Sequence, residues 1–397
     1  MALQDALAGA IEPVVAAGGM AGAATLVWRG GKVVQAGGFG WRDADAHEPV
    51  QRDTLFRIAS MSKPITSVAA LMLADEDRFA LEDPIVRWAP EMARMRVATD
   101  PQGDHTEPAA RPITFLDLLT HRSGLTYEFL TPGPIGDAYE KALGDTLDSD
   151  VAPDDWIAAL AALPLIDQPG SGFHYGRSTD LLGFLIARIA DKPLGDVLAE
   201  RIFRPLGMTD TGFTVPADKR GRRAQVYGFD EMGRLAPTPI AERPEGMAYV
   251  SAGQGLWSTL DDYLVFARLF LSDGAVDGVR LLRRETVARM MRDQLTDAQR
   301  AGATIMGMPF LAAHGFGLGV SIVRDAAQPS PFLGGGRVGA VGWPGAFGGW
   351  WQADPAAGQV LIFLTHALIN PSLFAKGVGM AAFGARMQFE AIAGGAP

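Results

Sequence analysis

The chain has 397 residues, 48% hydrophobic and 20% charged, which is ample for a large core and excludes disorder on composition. A net charge of −10 argues against a nucleic-acid surface, which needs clustered Lys and Arg. There is no cysteine, so disulfides, thiolate metal ligands and a Cys nucleophile are ruled out, and the redox compartment is left open.

The first 22 residues carry Asp5 and no basic run ahead of their apolar part, and read as an amphipathic helix rather than a signal peptide. No run of about 20 apolar residues follows anywhere, so a cytoplasmic protein with no membrane or nucleic-acid partner is expected. AATLVWR (23–29) and KVVQAGGFG (32–40) predict a hairpin across Gly30 and Gly31. TLFRIAS (54–60) predicts a short strand running into a helix that starts around Ser60. The polar, Pro/Gly-rich segment 97–111 reads as a surface loop.

Helical spacing then dominates to about residue 215, in ITFLDLLTH, DDWIAALAALP, TDLLGFLIARIA and LGDVLAERIF. STLDDYLVFARLFL (258–271) is a further amphipathic helix. GFGLGVSIV (315–323), FGGWWQAD (347–354) and GQVLIFLTH (358–366) read as strands, and a final helix is expected over roughly 372–393. Trp350 and Trp351, adjacent in a strand, should face opposite sides, one toward a site and the other toward the core. This order predicts an α/β unit built from both chain ends, 1–75 and 225–397, with a mainly helical domain, 76–224, inserted between them. The interface of the two is the expected place for a pocket.

Within FRIASMSKPITS (56–67), Ser60 and Lys63 are three apart at the start of an apolar helix, so hydroxyl and amine share a face. A serine is a weak nucleophile until something takes its proton, and a desolvated lysine can do so. The first helical turn also offers unpaired N–H groups to an oxyanion, and Pro64 is tolerated there. The alternative makes Ser60 a helix cap and Lys63 a solvated side chain. Thirteen serines and six lysines give about 0.2 chance matches to this spacing, so the match gains weight only from its setting.

Tyr175, in FHYGRSTDLLG, precedes another amphipathic helix; a phenol beside an ammonium can act as general base, whereas a lone tyrosine there is otherwise a packing residue. In GWPGAFGGWW (342–351) the glycines permit close backbone approach, and the Ala346 N–H could complete an oxyanion hole with that of Ser60; a bulged strand under aromatic cover is the other reading.

Taken in order, Ser60-Met-Ser-Lys63, Tyr175-Gly-Arg177 and Trp343-Pro-Gly345 resemble the serine β-lactamase and penicillin-binding fold. More closely they resemble the family VIII carboxylesterases, relatives of class C β-lactamases. LLTHRSGL (118–125), RPLGMTDTGF (204–213) and SAGQGLWSTLDDY (251–263) extend the likeness from about residue 20 to 390. The resemblance implies a β-lactamase-like α/β fold, an antiparallel sheet flanked by helices, with the active site between sheet and helical domain. It implies Ser60 as acylated nucleophile, Lys63 as its proton partner, Tyr175 as general base, and an oxyanion hole of the Ser60 and Ala346 N–H groups. Tyr127, Arg177, Trp343 and Gly345 would meet the substrate, a small neutral ester with a short acyl group, and no cofactor or metal is implied.

Two departures stand out. Arg177 replaces the asparagine of the lactamase tyrosine motif, and Trp343-Pro344-Gly345 replaces Lys-Thr-Gly, exchanging a cation for apolar surface. Arg177 could return some charge to an anionic substrate. β-Lactamase, D-stereospecific peptidase or amidase, and acyltransferase are the alternative activities, and a silent binding module the alternative class. A Ser-His-Asp site lacks its Gly-x-Ser-x-Gly elbow here, though His121 and His174 could partner a serine; His366, ending a strand, reads as structural. The six histidines are scattered, with no metal-ligating motif.

Overall fold

The computed structural model describes residues 2–144, 147, 149, 151–238, 249–368, 373 and 376–395. Eight strands form one antiparallel sheet: β1 (Gly22–Arg29), β2 (Lys32–Asp43), β3 (Glu48–Pro49), β4 (His314–Phe316), β5 (Ser321–Val323), β6 (Val341–Pro344), β7 (Trp350–Asp354) and β8 (Gln359–Thr365). Their spatial order is β4-β5-β6-β7-β8-β1-β2-β3, so the chain ends meet where β8 pairs with β1, Leu26 opposite Ile362. The β1–β2 turn places Gly30 and Gly31 at φ 60° and 83°, the left-handed conformations that a two-residue hairpin needs.

β1 and β8 read as unbroken apolar runs because both faces of the sheet are covered. On one face Val27, Leu361, Phe363 and Trp350 pack against Leu7 and Ile11 of α1 (Ala2–Ala16) and Phe389 of α6 (Met380–Gly394). On the other, Leu26, Ile362, Leu364 and Trp351 meet Ile65 and Val68 of α2 (Ser62–Asp75) and Phe266 of α5 (Leu260–Ala267). Trp350 and Trp351 therefore do face opposite sides, but both are buried in core, and neither lines the site around Ser60.

α2 is apolar nearly all round because it lies between the sheet and the helical segment, where it packs on α4 (Ser178–Ala190). The same core runs on through Phe115 and Leu118 of α3 (Phe115–Leu119), Trp156 and Leu185, so sheet and helices share one hydrophobic interior.

Three expected elements differ. Segment 97–111 is not all loop, since Arg96–Ala98 pairs with Thr106–Pro108. GFGLGVSIV is two strands, because Gly319 turns at φ 88° against α2, where a Cβ would meet Ser67 Oγ at 2.1 Å. The helix expected at Ser60 begins as a 3₁₀ turn, Ala59–Met61, and becomes α-helical at Ser62. The final helix is described from Met380 to Gly394, and part of its expected first turn lies outside the described residues. Among the described residues no helix is long and apolar enough to cross a membrane.

Candidate active site

The nucleophile segment is pinned from three directions. Phe56–Arg57 pairs with Trp257–Ser258, and the Ile58 N–H donates to Leu256 O at 2.9 Å. The Arg57 N–H donates to His366 Nε2 at 2.8 Å, while the other ring nitrogen meets Ala224 O at 3.1 Å, which puts the imidazole proton on Nδ1. Burial holds the His366 pKa down to about 4, so the ring stays neutral and can accept that bond. The structural role expected of His366 is therefore a link between the end of β8 and the strand before Ser60. Ala59 takes φ 44°, a left-handed conformation costing a non-glycine residue about 1 kcal/mol. It turns the chain sharply just ahead of Ser60.

Among the described residues Ser60 Oγ has two polar partners, Lys63 Nζ at 3.1 Å and the Tyr175 hydroxyl at 2.7 Å. Lys63 is 1% exposed, and its ammonium donates also to Tyr127 OH at 3.1 Å and to the Gly253 carbonyl at 3.0 Å. It stands 4.6 Å from the Tyr175 ring centre and 5.3 Å from that of Tyr127, within cation–π reach of both. Ser60, Lys63 and Tyr175 thus come together from the 3₁₀ turn before α2, the first turn of α2 and the segment before α4. Lys63 and Tyr175 are two ionisable groups within hydrogen-bond reach of the serine oxygen.

Gly345 closes the other side. A Cβ there would sit 2.5 Å from Ile58 O and 3.6 Å from Ala59 Cβ, so the end of β6 lies directly against the nucleophile segment. Ala346 follows on the exposed β6–β7 turn, which the Gly348 N–H closes onto Gly345 O at 3.0 Å.

Of the residues expected to meet substrate, Tyr127, Trp343 and Arg177 are all buried. Tyr127 is fully buried; burial, then Asp180 and Tyr175, push its pKa well up, and its hydroxyl serves Lys63. Trp343 is 1% exposed, packed edge-on against Phe310 and Phe316, with its indole N–H 3.4 Å from the Tyr175 oxygen. Arg177 is likewise wholly buried, donating to Glu128 at 3.0 Å and to Gly144 O at 3.3 Å and lying over the Tyr127 ring. The expectation that Arg177 returns charge to an anionic substrate is corrected: its side chain is turned inward because Glu128 and the Tyr127 ring hold it there.

The histidine alternative finds no geometry. His121 packs its ring 4.8 Å from that of Tyr175, and burial, then the Lys63 charge, hold its pKa well below the usual value. His174 pairs with Asp167 at 2.8 Å. Neither hydrogen-bonds Ser60, which Lys63 and Tyr175 engage.

Gly253 and Asp180 were missed by the sequence reading. SAGQGLW counts in the sequence only as a family marker, and the signal available in it is a glycine between Ala252 and Gln254, just ahead of the strand Trp257–Ser258. Around the site, Phe173, Phe310, Phe316, Trp343 and Leu333 form an apolar wall behind Tyr175, and Phe129, 46% exposed, stacks on Tyr127 at 5.1 Å.

A lysine in place of a histidine beside the serine sets this site apart from Ser-His-Asp hydrolases and alongside the serine β-lactamases. The chain belongs to that family, described as Beta-lactamase, which it matches over residues 7–381. Its relatives sharpen the resemblance to family VIII esterases. It is 31% identical over 368 residues to Esterase EstB of Burkholderia gladioli, covering 87% of this chain and 86% of that one. It is 48% identical over 360 residues to Protein Rv1367c of Mycobacterium tuberculosis, covering 89% and 88%. Among solved structures, EstCE1, a hydrolase with promiscuous acyltransferase activity, superimposes with a TM-score of 0.77 at 25% identity, over 96% of this chain and 98% of its own.

Proposed function

We propose that this protein is a serine carboxylesterase that hydrolyses small, neutral carboxylic esters through an acyl-enzyme on Ser60. One observation carries the reading: Ser60 Oγ lies between Lys63 Nζ at 3.1 Å and Tyr175 OH at 2.7 Å, at the mouth of an apolar wall.

In acylation the Ser60 proton passes to the Tyr175–Lys63 pair as Oγ attacks the ester carbon. The oxyanion rests on the N–H groups of Ser60 and Ala346, and the same pair returns the proton to the departing alcohol. Deacylation repeats the steps with water as nucleophile, releasing the acid and restoring Ser60. These side chains need no metal or organic cofactor for that chemistry.

The exchange of the lactamase lysine for a buried indole, and the inward turn of Arg177, support a neutral substrate over an anionic β-lactam. The apolar wall and exposed Phe129 support a second reading, transfer of the acyl group to an alcohol, as the similarity to EstCE1 also suggests. The test is turnover of p-nitrophenyl acetate and butyrate against nitrocefin, with intact mass recorded and a simple alcohol added as competing acceptor. Fast ester turnover and a Ser60 acyl adduct are expected; faster nitrocefin hydrolysis would put the β-lactamase reading first, and ester product exceeding acid the acyltransferase.

A further inference from the structure

Of the three partners of the Lys63 ammonium, the Gly253 carbonyl comes from a segment outside the Ser-x-x-Lys and tyrosine motifs. Gly253 is itself held from behind. Asp180 Oδ1 accepts from the Gly253 N–H at 3.0 Å and from the Ser251 hydroxyl at 2.8 Å. A Cβ on Gly253 would come within 3.2 Å of both Lys63 Nζ and Tyr127 OH, and within 3.4 Å of Asp180 Oδ1. Ammonium, phenol and carboxylate therefore crowd around a single carbon position that only glycine leaves empty.

Asp180 is wholly buried, and so is Arg177, one helical turn earlier. A buried charge is costly unless it is offset, and Arg177 has its ion pair with Glu128 at 3.0 Å. Burial works against the Arg177 charge, yet Tyr249, Glu128, Asp180 and Tyr127 around it hold its pKa above the ordinary value. The guanidinium lies 5.4 Å from the centre of the Tyr127 ring, whose hydroxyl receives the Lys63 bond. The titratable and charged groups facing this cluster are Lys63, His121, Tyr127, Glu128, Tyr175 and Tyr249.

We propose that Asp180 and Arg177 are two buried charges that position the catalytic lysine by separate routes. Asp180 aims the Gly253 carbonyl at the ammonium, and Arg177 holds the Tyr127 ring whose hydroxyl meets the same ammonium. Neither touches substrate; both act through Lys63, so the inference rests on the esterase reading above.

The experiment is the pH–rate profile of kcat/KM for p-nitrophenyl butyrate in the parent, Asp180→Asn, Asp180→Ala and Arg177→Gln proteins, with thermal unfolding as the check of fold. Removing a negative charge lowers the pKa of every acid near it, so Asp180→Asn should move the profile down by about one pH unit while its amide oxygen still accepts from Gly253. Arg177→Gln should move it the opposite way. Asp180→Ala removes the acceptor as well and should lower kcat on the order of 100-fold with KM little changed. If one charge variant fails to fold, the other still gives the sign of the shift. A folded charge variant whose profile superimposes on the parent overturns this positioning role while leaving the esterase reading intact. A parent without turnover, or a Ser60→Ala protein with turnover, removes that reading and this proposal together.

Discussion

The Tyr175 hydroxyl meets Ser60 Oγ at 2.7 Å, the shorter of the two polar contacts that the serine makes. Tyr175 stands 115 positions along the chain from Ser60, and it reaches the serine only because α2 and α4 pack side by side. Ser60→Ala should abolish acylation by p-nitrophenyl esters, with no adduct in the intact mass. Tyr175→Phe and Lys63→Ala should each lower kcat by roughly 10²–10⁴-fold, the range for general acid–base groups, with the unfolding temperature little changed in Tyr175→Phe. Near-normal turnover in Ser60→Ala would sink the assignment.

Tyr127 is wholly buried and gives Lys63 one of its three hydrogen-bond partners among the described residues. Tyr127→Phe should therefore lower kcat by about 10-fold, as for the loss of a bond to a charged group, and leave KM as it was. A raised KM with unchanged kcat would instead make Tyr127 a substrate contact.

Gly345 has no room for a methyl group, since the Ile58 oxygen would lie 2.5 Å from its Cβ and Ile58 is itself tied to Leu256. Gly345→Ala must push the β6–β7 turn away from the Ser60 segment, moving the Ala346 N–H with it. The expected outcome is a loss on the order of 10²-fold in kcat, the cost of one oxyanion donor, with Lys63 and Tyr175 undisturbed. Rates within a few-fold of the parent would show that Ala346 contributes nothing to the oxyanion.

His366 gives a pH dependence with a definite sign. Its pKa falls from 6.5 to about 4 on folding, chiefly by burial, so the unfolded chain binds its proton first as pH drops. Stability is unaffected above the unfolded value and declines with falling pH between about 6.5 and 4, by roughly 3 kcal/mol from this group. Burial lowers the His314 pKa to about 4 too, and His121 acts in the same direction. Urea unfolding at pH 7 and pH 4.5 should show the loss, and His366→Gln should flatten the slope. An equal slope in that variant would assign the effect to the other two.

Much of this was written into local sequence. Apolar runs such as QVLIFLTH give strands because a doubly covered sheet needs both faces apolar, and Gly30-Gly31 gives a hairpin because its turn needs positive φ. The Ser60–Lys63 pair is also local, since three residues along a helix is a fixed distance. What short range could not supply were the orientations of side chains whose neighbours lie far along the chain. Tyr127, Arg177 and Trp343 are expected at the substrate, and packing buries all three side chains, against Lys63, Glu128 and a wall of phenylalanines. Gly253 and Asp180 were invisible for the same reason: 190 residues separate Gly253 from Lys63, and 73 separate it from Asp180. Spacing along the chain determined which groups could do chemistry. Which of them face the ester, and which stand behind the lysine, was decided by tertiary packing, because a buried charge or phenol must turn toward whatever partner the fold brings within hydrogen-bond reach.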